Sequence, residues 1–238
     1  ELTLDSIGKG TLHILEAGRQ FSPEARYFIA SSCEVFGIPV ETPQTEETRR
    51  RPETPYGICK QAADNFARLY REKYGQFISV GILYNHESPL RPSNYLSRRV
   101  AKAVAAIWNG TLDKLTIGDL TVERDWSDAR DFVRGFWLAL QSDSPGEYIF
   151  ASGKSRSVQE LVHYAFSAVG LDYRNYLESD AGKVPVPVSR GLCGNANRAE
   201  SVLGWGRKWS FEEMIRDMVM AEVENRPELD RANPGPSM

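Results

Sequence analysis

The sequence predicts an α/β fold, a parallel sheet covered by helices, and two observations carry that reading. Two short apolar runs, Tyr27–Ala30 (YFIA) and Ile78–Leu83 (ISVGIL), are flanked by polar and charged residues and read as buried strands. Between them lies a long stretch with helical periodicity. Apolar strands joined through a helix belong to a parallel sheet, because a parallel connection has to cross the sheet face. The chain has 238 residues, 41% hydrophobic and 26% charged, enough for one or two domains with a sizeable core.

The elements follow in order. Thr11–Arg19 places Leu12, Ile14, Leu15 and Ala17 so that it reads as the end of an amphipathic helix. The strand Tyr27–Ala30 comes after Pro23. Residues 37–55 hold Gly37, several prolines and many charges and read as a loop. Pro55 stands where a helix starts, and Ala62, Ala63, Phe66, Leu69 and Tyr70 keep helical spacing to about Lys73. The strand Ile78–Leu83 closes this first part. Beyond Asn85, helices are predicted over Ser97–Trp108, Ala129–Leu140 and Phe211–Glu224, and strands over Leu115–Ile117 and Tyr148–Ala151. Ser157 with Glu160 three residues on is a capping box that opens a further helix. Residues 171–195, with Pro185 and Pro187, read as loop-rich, and the Pro-rich tail from Arg226 as frayed.

Bulk properties exclude several classes. A net charge of -3 gives no basic footprint for nucleic acid. No apolar run reaches the roughly 18 residues of a bilayer span, and no signal peptide opens the chain. Cys33, Cys59 and Cys193 lack CxxC spacing and read as reduced thiols of a cytoplasmic protein. His13, His86 and His163 are scattered, so no metal site is expected.

Chemistry concentrates at the predicted strand ends, where ligands bind in parallel α/β sheets. Ser31-Ser32-Cys33-Glu34 follows the first strand. Its hydroxyls suit a substrate oxygen, and Glu34 suits acid or base work; a capped loop with a solvated Glu is the plainer reading. Tyr56 and Lys60 are one helical turn apart in TPYGICK and share a helix face. An ammonium beside a phenol is expected to lower the phenol's pKa and ready it to take a proton from a hydroxyl. Asn85-His86-Glu87-Ser88-Pro89 follows the second strand, as a ligand site or as turn chemistry. In Arg124-Asp125-Trp126 the Arg suits phosphate and the Trp suits the core. Arg98 and Arg99 near a helix start read as a solvated face, with a diphosphate role as the sharper alternative.

Taken in order, ELTLDSIGKGTLHILEA, SSCEVFG, TPYGICK, GILYNHESP, GDLTVERDW and a late LGW resemble the extended short-chain dehydrogenase/reductase superfamily, and within it the GDP-mannose 4,6-dehydratase family. The resemblance runs from residue 1 to about 220. It implies a Rossmann-like parallel sheet in residues 1–90, a smaller mixed α/β substrate domain over 91–225 with segments returning to the sheet, and a flexible tail over 226–238. It implies catalytic roles for Ser32, Glu34, Tyr56 and Lys60. Tyr56, Lys60, His86 and Arg91 would meet NADP, and Asn85, Arg99 and Arg124 a GDP-sugar. The family has Thr where Ser32 stands and Lys where Arg99 stands. The implied reaction is an internal hydride transfer that turns a GDP-hexose into its 4-keto-6-deoxy derivative, by a homodimer or homotetramer.

One departure stands out. The family's glycine-rich pyrophosphate turn has no counterpart; Gly8-Lys9-Gly10 follows no strand and aligns with a later helix. The chain therefore resembles a member without its first βαβ units, and its sheet is expected to expose an edge. Two other readings stay open: an epimerase or reductase of the same superfamily, and a catalytically impaired remnant that binds a nucleotide sugar or serves as an oligomer partner.

Overall fold

The computed structural model describes residues 1–179 and 191–224. A three-stranded parallel sheet has the order β1-β2-β6, formed by β1 (Arg26–Ala30), β2 (Phe77–Leu83) and β6 (Glu147–Phe150). β1 pairs Arg26 with Phe77 through Ala30 with Gly81, and β2 pairs Val80 with Glu147 through Leu83 with Phe150. Side chains alternate across β2, as a strand requires. Ile78 and Val80 pack with Leu15 of α1 (Gly10–Phe21) and with Ala67 and Tyr70 of α2 (Pro55–Tyr74). On the opposite face, the Ser79 hydroxyl donates to the Ala139 carbonyl of α4 (Ala129–Gln141).

The expectation of two buried strands holds for β2 and not for β1. Ile78, Val80 and Ile82 are fully buried, whereas Tyr27, Phe28 and Ile29 are half-buried. Among the described residues β1 pairs with β2 alone, so it is an edge strand. The other edge, β6, is covered by the loop over 37–54. Glu46 accepts from the Ile149 backbone N–H at 2.9 Å, and Gln44 exchanges backbone hydrogen bonds with Cys193 and Asn195. Covering an edge in this way satisfies its open backbone groups.

The second half forms a separate core. A short parallel pair joins β3 (Asn85–Glu87) to β5 (Glu123–Asp128), and β7 (Ser155–Ser157) adds antiparallel to β5. A parallel pair joins β4 (Leu115–Ile117) to β8 (Leu177–Ser179). Val100 and Val104 of α3 (Leu96–Trp108), Leu161 and Phe166 of α5 (Val158–Ser167), and Met214 and Met218 of α7 (Phe211–Val223) meet in one cluster with Trp126. The capping box at Ser157 is present. The reading of Trp126 as core holds: it is buried and stacks on Phe211 at 5.8 Å.

Several elements had no clear sequence signal, β5 among them. β3, β7 and β8 are three residues each, and α6 (Asn197–Leu203) is seven, too short for periodicity to register. Asn85–Glu87, the start of the segment read as a ligand site or as turn chemistry, is a short strand, fixed by its pairing with Trp126–Asp128. Part of the expected loop over 171–195 is β8, while Pro185 and Pro187 and the tail from Arg226 lie outside the described residues. No described helix is long and apolar enough to cross a membrane.

Phe150 seats β6 on α4 and Trp205. It is fully buried between Phe132, Phe136 and Trp205, with ring centroids 5.2 to 6.1 Å away. Phe150→Ala is expected to destabilise the chain by about 3–5 kcal/mol, measured as a lower urea midpoint with unchanged m-value.

Candidate active site

The site begins where β1 ends. Ser31 continues the ladder, its N–H donating to the Gly81 carbonyl at 2.8 Å. Ser32 is extended and caps a single 3-10 turn over Cys33–Phe36, its Oγ accepting from the Glu34 N–H. The turn is released by Gly37 at φ 62°, where a Cβ would lie 2.0 Å from the Arg51 carbonyl oxygen. This position needs glycine for both its backbone angle and its contact. The turn leaves Val35 and Phe36 fully buried and Glu34 partly exposed.

Helix α2 starts directly against this turn. Thr54 is its N-cap, Pro55 its first residue, and the Thr54 hydroxyl accepts from the Gly57 N–H at 3.0 Å. The same hydroxyl donates to Glu34 Oε2 at 2.8 Å. A Cβ on Gly57 would sit 2.7 Å from the Glu34 carbonyl oxygen, so the missing side chain is what lets helix and turn touch. Tyr56 follows in the first turn with its side chain 41% exposed. One turn on, Lys60 Nζ donates to the Ala30 carbonyl at 2.6 Å and lies 5.5 Å from the Tyr56 ring centroid. The structure thus brings Ser32, Glu34, Tyr56 and Lys60 into one cluster, with Ser32 and Glu34 both close enough to act on the Tyr56 phenol.

The electrostatics differ from the expectation for Tyr56. Its pKa is raised, chiefly by burial, with the Glu34 charge adding and the Ser32 hydrogen bond opposing. Lys60 is not among the groups that set it; its ammonium donates to the Ala30 carbonyl. Burial also lowers the Lys60 pKa, with Asp64 opposing. Cys33 is pushed up to about 12, mainly by burial, which leaves it an inert thiol. Cys33, Cys59 and Cys193 are all free and buried.

The remaining candidates are spread around this cluster. Arg124 is partly buried on β5, donates to the Glu123 carbonyl, and lies within electrostatic reach of Cys33 and Glu34. Asn85 and His86 are half-buried on β3. His86 Nδ1 bonds the Tyr84 carbonyl at 2.9 Å, and its ring stacks on Phe132; burial lowers its pKa, favouring the neutral ring. Arg91 lies 3.2 Å from the buried Glu87 carboxylate and over the Tyr95 ring. Arg99 is exposed on α3. Its neighbour Arg98 corrects the reading of a solvated face: it is buried, pairs with Glu222, and donates to the Pro89 and Arg91 carbonyls. Only one of two adjacent helix positions can face the core, and the sequence alone did not say which.

The GDP-mannose 4,6-dehydratase family model matches residues 1–218. The chain belongs to that family. It is 36% identical over 228 residues to GDP-mannose 4,6 dehydratase 2 of Arabidopsis thaliana and 36% identical over 253 residues to the Homo sapiens protein. These matches take in 94% and 98% of this chain, and 61% and 67% of those proteins; the chain spans about three-fifths of the length of its Arabidopsis relative. Among solved structures, RMD from Pseudomonas aeruginosa complexed with NADPH superposes with a TM-score of 0.83 at 21% identity, over 91% of this chain and 72% of that one. The dTDP-glucose 4,6-dehydratase of Bacillus anthracis in complex with NAD gives 0.81 at 22%, over 94% and 69%. These likenesses show the Rossmann-type α/β fold.

Two residues near this site, Thr54 and Asp125, have a structural role that the sequence reading did not assign. Thr54 carried a usable signal, a Thr before Pro at a helix start. Asp125 did not. It is buried and accepts backbone N–H groups from Ser152, Gly153 and Gly194, so it ties β5 to segments far along the chain.

Two outcomes follow from this geometry. Gly57→Ala should destabilise the chain by about 1–3 kcal/mol through overpacking against Glu34, read by thermal or urea unfolding. Titration followed by ultraviolet difference between the chain and Tyr56→Phe should place the Tyr56 transition above the usual pH of about 10; a transition below that value would restore the expectation of a phenol activated by Lys60.

Proposed function

We propose that this site belongs to an NADP-dependent GDP-sugar 4,6-dehydratase, a hydro-lyase that turns a GDP-hexose into its 4-keto-6-deoxy derivative. The observation that carries the reading is the pairing of two acid-base groups at one strand end. Tyr56 presents a phenol, and Glu34 presents a carboxylate held by Thr54. A sugar epimerised at C4 needs no second base at C5, whereas dehydration across C5 and C6 does.

The donor set fits a nicotinamide nucleotide. Lys60 spends one Nζ proton on Ala30 and has two more for ribose hydroxyls, while Arg91 and the neutral His86 suit the remainder of the cofactor. When bound, that group accepts hydride from C4 of the sugar and returns it to C6. The chain's own residues handle the protons. Tyr56 acts as its phenolate: it first gives its own proton to solvent, a loss that burial opposes and the Ser32 hydroxyl favours, and then takes the proton of the C4 hydroxyl as the C4–H bond electrons leave. The C4 ketone then acidifies the C5 proton. Glu34 removes that proton and delivers it to the departing C6 hydroxyl, which leaves as water, and then passes a solvent proton back to C5 as C6 is reduced. A single carboxylate can act as base and then acid because C5 and C6 are adjacent. Arg124, in electrostatic reach of Glu34, suits the diphosphate side of the substrate, together with Asn85 and Arg99.

Incubation with GDP-mannose and NADP⁺ should give a 4-keto-6-deoxy product detectable by mass spectrometry. Glu34→Gln should slow water loss by about 10²-fold or more while C4 oxidation, seen at 340 nm, persists. Unchanged dehydration in that variant refutes the role of Glu34. Binding of a GDP-sugar with neither turnover nor NADP binding points to a binding role instead.

A further inference from the structure

We propose that Asp64 is a positioning residue for the Tyr56–Lys60 pair, a buried anion one turn beyond Lys60 that keeps the Lys60 ammonium charged and seated on the end of β1; the proposal rests on the reading of that pair as catalytic. Tyr56, Lys60 and Asp64 stand at successive four-residue steps along α2, a single stripe of the helix. Asp64 has no exposed surface. Its Oδ2 accepts from the Ser31 hydroxyl at 2.6 Å and from Arg50 at 3.1 Å, and its Oδ1 has no hydrogen-bond partner. Lys60 meanwhile donates to Ala30. The helix therefore grips two consecutive residues, Ala30 and Ser31, immediately before Ser32 and Glu34.

A buried carboxylate with one oxygen unpartnered costs stability, and an apolar residue of similar size would fold at less expense. The charge thus has a use beyond packing. The charged groups facing Asp64 are Lys60 on its own helix, Arg50 from the 37–54 loop and Glu147 on β6, which also binds Arg50 and Arg71. Burial raises the Asp64 pKa to about 6, so it is ionised at neutral pH. Burial works against the Lys60 charge, and Asp64 opposes that loss. Arg50 and Ser31 hold the anion in place, and from the next turn of α2 its charge reaches Lys60 through space, without a direct ion pair.

The test needs neither substrate nor cofactor, so it separates this proposal from the activity itself. The chain is labelled with ¹³C-lysine, and the Lys60 Cε signal, assigned by its absence in Lys60→Arg, is followed by NMR from pH 4 to 12. In the unaltered chain the Lys60 signal should show a small step near pH 6 as Asp64 ionises, and then its own transition. In Asp64→Asn, which keeps an acceptor for Ser31, the step should vanish and the Lys60 midpoint should fall by on the order of one pH unit. An unchanged midpoint in folded Asp64→Asn overturns the proposal. Should that variant fail to fold, the unaltered chain decides: no step at Lys60 while Asp64 titrates also overturns it. A step at Lys60 in a chain without turnover would sink the proposed activity and leave the coupling standing.

Discussion

The Thr54 hydroxyl accepts from the Gly57 N–H and donates to the Glu34 carboxylate, and the candidate site is organised around that one oxygen. Its first bond satisfies an open N–H at the start of α2 and so fixes where the helix begins. With the start fixed, Tyr56 lies in the first turn and Lys60 in the second. Its second bond holds Glu34, which arrives from a different element at the end of β1. One side chain thereby sets the relation between the phenol and the carboxylate. The close contact also needs Gly57, whose absent Cβ leaves room for the Glu34 backbone. Local helix chemistry and site geometry are the same interaction here.

The sheet supplies the platform. Parallel pairing of β1 with β2 brings Ser31 and Gly81 together and so carries the end of the first strand level with the second. The two edges are treated differently. Glu46 closes the β6 edge from the 37–54 loop, whereas β1 keeps half-buried side chains. Charge is concentrated along α2, where Arg50, Asp64, Glu147 and Arg71 form a chain of ion pairs from the loop through α2 to β6. Breaking such a buried chain by removing one partner strands the others. The loop, α2 and the edge strand are therefore coupled energetically as well as by packing.

Much of this was legible in the residues. Long periodic stretches such as α2, α3 and α4, and the strand β2, register in sequence because burial repeats over many positions. The capping box at Ser157 was legible because it is a local exchange between two residues three apart. The short strands β3, β7 and β8 were not, since three residues carry no period and their pairing partners lie far along the chain. Arg98 and Arg99 show the same limit. Neighbouring helix positions look alike in composition, and only the packing of α3 against α7 turns Arg98 inward to Glu222.

By itself, the sequence determined the α/β class, the helix that carries Tyr56 and Lys60, and, through motif order, membership of the dehydratase family. These depend on periodicity, on caps and on residue types at fixed spacing, all of which are written locally. Only the tertiary structure decided that Thr54 joins Glu34 to that helix, that Asp64 lies buried beneath Lys60, and that the Tyr56 phenol is held above its ordinary pKa. A pKa is set by the dielectric and by charges from every element within several ångströms. Adjacency along the chain placed an ammonium beside a phenol; burial and the Ala30 carbonyl decided what that ammonium does.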